Sequence, residues 1–206
     1  LGRAWLSPPG VNLMVSVAVR PRIAAAAAWQ IGCATALSVC AATADMAAPW
    51  IKWPNDLYTA DGLKLGGILV ETALDGANLA YAVIGLGVNV NWRRADMPPD
   101  VRETATSLCE LAGRDVSRVA MLERYLAALD GELAALERGV SPIPRVRERS
   151  WLDGRRVAVD AAGGEVAGEA VGIRDDGALL VRGAFGVHAV LFGDVVHVTT
   201  TGPVAA

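Results

Sequence analysis

Cysteine is scarce in this 206-residue sequence: Cys33, Cys40 and Cys109 are the only three, an odd set without a Cys-x-x-Cys pair. Such a set excludes a disulfide framework and a zinc ribbon, and it points to thiols kept reduced in a cytoplasm. Cys33 and Cys40 lie seven residues apart and read as small buried apolar side chains on one helix. Histidine is scarcer still. His188 and His197 sit in an apolar C-terminal stretch with no third ligand near in sequence, which argues against a histidine-ligated metal centre. A basic surface is missing too: a net charge of −3 and a pI near 5.4 leave no electrostatic footprint for nucleic acid. No signal segment follows Leu1, and a sequence that opens on Leu rather than Met is expected to lack its natural N-terminus.

Charge is absent altogether from Ile23 to Ala44. That length reaches the threshold for a membrane span. Alanine dominates it, however, and Gln30, Thr35, Ser38 and Thr43 interrupt it, so insertion into lipid would gain little. The run reads as an alanine-rich helix packed on a sheet, punctuated by Pro21 and Pro49, with no membrane involved. Alanine and valine also account for the hydrophobic content of 53% and the mean hydropathy of +0.35. The length suits one substantial core plus a small second domain.

What is present is a grammar of strands around that helix. Residues 12–19 read as a strand, 50–53 as a short one, and 55–62 as a turn rich in Pro, Asn, Asp and Gly. Residues 64–74 and 79–90 are long strand candidates joined at Asp75-Gly76, a hairpin signal. The Gly85-Leu86-Gly87 pair does not open a helix and lacks a third glycine, so it is no dinucleotide fingerprint; glycines inside a strand mark close backbone approach instead. Residues 93–102 read as a polar loop, and Thr106-Ser107-Leu108 starts a short helix. From Ser117, whose residue type suits an N-cap, to Gly139 the spacing of Val119, Leu122, Leu126, Leu129, Leu133 and Leu136 predicts an amphipathic helix packed on that face. A stiff hinge at 140–144 and a short charged helix over 145–152 follow. Beyond Asp153-Gly154, turn signals at 162–164, 175–177 and 192–194 divide the chain into short strands, a small barrel or sandwich.

One stretch carries chemistry that a core does not need. Ile51-Lys52-Trp53-Pro54-Asn55-Asp56-Leu57, then Lys64-Leu65-Gly66-Gly67-Ile68-Leu69-Val70-Glu71, sets two lysines, an Asn, an Asp and a glycine pair among strand residues. Each has an ordinary reading as well: Lys64 a solvated turn lysine, Lys52 a strand-edge charge, Asn55 and Asn89 backbone caps, Leu69 a core residue.

Lys-Trp-Pro-Asn-Asp followed by Lys-Leu-Gly-Gly-Ile-Leu-Val-Glu resembles the signature of the biotin protein ligases, and the opening Gly2-Arg3-Ala4-Trp5-Leu6-Ser7-Pro8 resembles the tail of that family's Gly-Arg-rich loop. The resemblance runs from Gly2 to about Val198. It implies an α+β fold: a mixed β-sheet catalytic domain like that of class II aminoacyl-tRNA synthetases over 1–140, and a C-terminal SH3-like barrel over 151–199. It implies that biotin and ATP form biotinyl-5′-AMP, whose biotinyl group passes to a lysine of a biotin carboxyl carrier domain. The matching positions imply catalytic roles for Lys64 and Arg3, a biotin site of Gly2, Arg3, Trp5, Lys64, Gly67, Leu69 and Gly85, and an ATP site of Lys52, Asn55 and Asn89. Asp56 is a candidate for organising Mg²⁺, which needs only one or two carboxylates beside phosphate. A homodimer is compatible with the family. The upstream family segment that recognises the biotin ring has no counterpart here, so the chain by itself is expected to turn over little. A lipoate ligase is the nearest rival, but its Arg-Arg-x-x-Gly-Gly-Gly stretch has no match; a non-catalytic biotin-binding or dimerising module is the rival from another class.

Overall fold

The computed structural model describes residues 5–199. It is α+β, with two five-stranded sheets and two compact units. The first unit takes the chain up to Trp50 and Asn55–Pro142; the second takes Ile51–Pro54 and the chain from Ile143.

In the first unit β1 (Leu13–Val19), β3 (Asp56–Tyr58), β4 (Lys64–Asp75) and β5 (Asn78–Val88) form antiparallel ladders in the order β1-β5-β4-β3. β2 (Trp50–Lys52) stands at the end of the sheet order, beside β3. The expected hairpin is present, its turn carrying Gly76 at φ 57°. The expected turn over 55–62 is divided: residues 53–55 form one turn, Asp56–Tyr58 pairs with β4, and a second bend runs from Thr59 to Leu63, where the Thr59 hydroxyl accepts from Leu63 N at 3.0 Å.

Period-two alternation gives this sheet two unlike faces. Ile84, Leu86 and Val88 of β5 and Ile68 of β4 are buried on one of them. Helices α1 (Gln30–Ala42) and α4 (Arg118–Glu137) pack on each other, and α1 also packs on β4. The uncharged run is thus a helix, although it starts at Gln30 rather than Ile23. Ala24 bridges Asn78 and Ala25 N donates to Ala77 O at 2.8 Å, so this backbone is committed to the hairpin before the helix begins. The hydroxyls inside α1 are satisfied by their own helix: Thr35 donates to Ile31 O at 2.8 Å and Ser38 to Ala34 O at 2.7 Å. At 13 residues, no helix of this kind crosses a bilayer, and none among the described residues is long and apolar enough to do so.

α4 has the expected N-cap, Ser117 Oγ accepting from Ala120 N at 3.2 Å. Its buried face differs from the leucine-led expectation. Met121, Tyr125, Leu129 and Leu136 are buried, whereas Val119 is 67% exposed and Leu126 lies outward. The large Met and Tyr side chains claim the groove, turning the helix away from the leucine count. The expected loop over 93–102 contains the start of a short helix, α2 (Pro99–Thr104), with Pro at its first position, where no N–H is required. Ser107 precedes α3 (Leu108–Ala112) as expected.

The second unit opens with α5 (Ile143–Arg147), which begins inside the expected hinge. It continues through β6 (Arg156–Ala161), β7 (Gly164–Ile173), β8 (Leu179–Gly183), β9 (Gly186–Val190) and β10 (Gly193–Thr199), in the order β10-β6-β7-β8-β9. Residues 51–54 belong here because Ile51 N donates to Arg149 O at 2.7 Å, Trp151 N donates to Ile51 O at 2.9 Å, and Trp53 Nε1 donates to Gly177 O at 3.0 Å. Val157, Val159, Leu179 and Val181 form its core.

Candidate functional site

The site follows from the outer face of the first sheet. Register sets Met14, Gly87, Gly67 and Asp56 in one transverse row across β1, β5, β4 and β3, and Ser16, Gly85 and Leu69 in the next. Glycines at the centre of both rows leave a floor of bare backbone between side-chain walls. A Cβ on Gly87 would lie 2.9 Å from two atoms of the Trp5 indole, and one on Gly67 would lie 3.3 Å from it, so the indole lies directly on the glycine row. The same missing Cβ at Gly67 leaves room for Asp56 Oδ1, 3.2 Å away, and Lys64 Cε, 3.7 Å away.

At this polar end Lys64 Nζ donates to Asp56 Oδ1 at 2.7 Å and stands 5.7 Å from the Trp5 ring centroid. Asn55 orders the strand ends: its Nδ2 donates to Ile68 O at 2.8 Å and its own carbonyl accepts from Ile68 N at 2.9 Å. At the other end Leu69 and Met14 are 61% and 57% exposed, large apolar side chains held in water on a sheet that has a perfectly good core on its far face. The core reading of Leu69 is therefore wrong.

These residues enclose an open cavity of about 510 Å³, within the range of small-molecule sites. Trp5, Asn55, Asp56, Lys64, Gly67, Leu69 and Gly85 all line it. Lys52, on β2, does not line it, and neither does Asn89, which is buried with Nδ2 donating to Thr106 O at 2.9 Å. Gly2 and Arg3 lie outside the described residues. Met14, Ser16 and Gly87 also line the cavity and were missed from sequence. Gly87 was legible, since it follows Gly85 by two and so shares its face; Met14 and Ser16 needed the register of β1. Among the described residues no group of three or more His, Cys, Asp or Glu is placed to hold a metal ion, and Asp56 is already paired with Lys64. Cys33, Cys40 and Cys109 form no disulfide, and burial pushes the Cys33 thiol up to about 12.

A fixed cation at one end, an apolar wall at the other and a floor without side chains suit an elongated acid: carboxylate against Lys64, alkyl body along the glycines.

Comparisons with known proteins agree with this shape. Residues 1–89 match the model of the Biotin/lipoate A/B protein ligase family, and residues 154–198 match the Biotin protein ligase C terminal domain. The chain is 29% identical over 199 residues to the bifunctional ligase/repressor BirA of Bacillus subtilis, covering 95% of this chain and 61% of that one. It is 29% identical to the biotin–[acetyl-CoA-carboxylase] ligase of Paracoccus denitrificans, covering 94% of this chain and 83% of the relative. Thus the chain spans less than two thirds of the length of some curated relatives. Among solved structures, the Aquifex aeolicus biotin protein ligase in complex with biotin and ATP superposes with a TM-score of 0.77 at 27% identity, covering 93% of this chain and 80% of that one.

Proposed function

The chain belongs to the biotin protein ligase family, and from that membership we propose that it condenses biotin with ATP to biotinyl-5′-AMP and passes the biotinyl group to a lysine of a biotin carboxyl carrier domain. The observation that carries this reading is the placement of Lys64 at the polar end of a glycine-floored cavity whose other end is Leu69 and Met14.

The biotin carboxylate attacks the α-phosphorus of ATP, and pyrophosphate leaves with the electron pair of the broken P–O bond. Two anions must meet for this to happen. A lysine about 4 Å from a unit negative charge contributes roughly 4 kcal/mol of attraction at an effective dielectric near 20. Lys64 carries three N–H donors, so Asp56 can hold one while the others face the carboxylate and phosphate. Asp56 thereby aims the ammonium. In the second step the acceptor amine attacks the acyl carbonyl, an amide forms, AMP departs, and the amine's proton passes to solvent. Arg3, through the family match, is proposed as the second cation on the anhydride, with Gly2 beside it, and Asn55 and Asn89 as residues that order the strand ends on the nucleotide side. Mg²⁺ would be carried by the ATP phosphates, because one carboxylate already paired with Lys64 is all the cavity offers. Cysteines that form no disulfide accord with a cytoplasmic setting.

The test is to incubate the chain with biotin, ATP and a carrier domain while following acceptor mass and pyrophosphate, with lipoate in a parallel reaction. A slow but biotin-specific mass gain on one acceptor lysine is expected. The absence of both acceptor modification and biotin-dependent pyrophosphate would sink the reading.

A further inference from the structure

The Trp5 indole rests on the glycine row without a hydrogen bond to hold it: its Nε1 is buried and has no partner among the described residues. Something else must set its position. Two residues on, Ser7 Oγ accepts from Asn12 Nδ2 at 3.2 Å, and Asn12 Oδ1 accepts from Val90 N at 3.0 Å, just past the end of β5. Asn12 is 5% exposed. Because Val90 N can only donate, the amide oxygen must face it and the NH₂ group must face Ser7, which fixes the orientation of the amide. The main chain on either side is tied to neighbouring structure: Asn91 N donates to Val11 O at 2.9 Å and Arg118 Nη1 to Asn12 O at 3.3 Å. Between Ser7 and Asn12 the chain is stiffened by Pro8 and Pro9 and turned at Gly10, φ 79°. Leu6, on the other side of the tie, is exposed. Among the described residues the arm bearing Trp5 is therefore anchored at Ser7, and its indole is held by packing on the glycine row and by the Lys64 ammonium near its ring.

We propose that Asn12 is a positioning residue for the ligand: by tying Ser7 to the end of β5 it sets where the Trp5 indole lies on the Gly67 and Gly87 row, and through that how tightly biotinyl-5′-AMP is held. The ligand named here rests on the functional reading above. Asn12 does not line the cavity and acts only through Trp5. A buried asparagine that merely stapled a loop would affect melting alone; this one must also move the indole and the affinity.

Ser7→Ala removes the acceptor of Asn12 Nδ2 while leaving the bond from Val90 N to Asn12 intact, whereas Asn12→Ala removes both, and a melting curve of Ser7→Ala establishes that it is folded. Trp5 emission is isolated as the difference between each protein and its Trp5→Phe counterpart, and binding of synthetic biotinyl-5′-AMP is measured by calorimetry. Ser7→Ala is expected to shift the Trp5 emission to the red, to increase its quenching by acrylamide, and to weaken the adenylate about fivefold, the effect of losing one ordinary hydrogen bond. Ser7→Thr, which restores the hydroxyl, is expected to recover both. Unchanged emission in Ser7→Ala, or altered emission with wild-type affinity, overturns the proposal. A wild-type chain that binds neither biotin nor its adenylate overturns the functional reading and this role with it, and is told apart because failure of the anchor alone leaves wild-type binding intact.

Discussion

Lys64 Nζ donates to Asp56 Oδ1 at 2.7 Å between adjacent antiparallel strands, with the two side chains 33% and 23% exposed. The pair is open enough for an incoming anion to reach the ammonium and enclosed enough that its field is not lost to water. Half-exposed pairs contribute little to folding, about 0–1 kcal/mol. Lys64→Gln should therefore melt close to wild type while biotin-dependent pyrophosphate release falls about 100-fold, the usual scale for losing one preorganised charge donor. Near-normal release from this variant, measured at saturating biotin and ATP, would remove Lys64 from the chemistry.

Two glycines on neighbouring strands, Gly66 of β4 and Gly87 of β5, one register step apart, give opposite expectations. A Cβ at Gly66 would sit 2.7 Å from Gly87 O, main chain that cannot swing aside, so Gly66→Ala should cost about 1–3 kcal/mol of stability in urea unfolding. A Cβ at Gly87 would instead meet the Trp5 side chain, which can move. Gly87→Ala should keep its unfolding midpoint and show its effect in Trp5 emission and in biotin binding.

Leu69 separates ligand contact from core in the same way. Leu69→Ala should change stability by no more than about 0.5 kcal/mol, as for other exposed positions, and weaken biotin about tenfold, which corresponds to losing roughly 1.4 kcal/mol of apolar contact. A large drop in melting temperature with unaltered biotin affinity would return Leu69 to the core.

In the second unit the turn before β8 is held by Asp176, which accepts from Arg174 Nε at 2.9 Å and from Ala178 N at 3.2 Å. The Arg174 hydrogen bond, ahead of other causes, draws the Asp176 carboxyl down to about 2. A carboxyl depressed by folding stabilises the folded state at pH values above its ordinary unfolded range, and that contribution disappears as pH falls towards 2. Asp176→Asn should therefore melt lower than wild type at pH 7, and the gap should close progressively below about pH 4. A gap independent of pH would mean that the turn relies on its backbone bonds alone.

Much of the first unit was legible because its strands are set by local pattern. The hairpin at Asp75-Gly76, the cap at Ser117 and the glycine-spaced strands depend on neighbours in sequence. The site residues on β4 and β5 were legible through the resemblance of their motif to the biotin protein ligases. What sequence could not give was register. Met14 and Ser16 join the cavity only because Met14 pairs with Gly87 and Ser16 with Gly85, a relation between strands some seventy residues apart. The buried face of α4 was misread because leucine count outweighed Met121 and Tyr125, whose bulk decides the fit. Asn12 looked like the start of a strand, and its two hydrogen bonds, to Ser7 and Val90, appear only when the loop and the end of β5 are brought together.

Met14 and Leu69 stand in water on the outer face of the first sheet. Covering them with a bound acid would dry that surface and shift the folding equilibrium by mass action, the more so as the ligand becomes abundant.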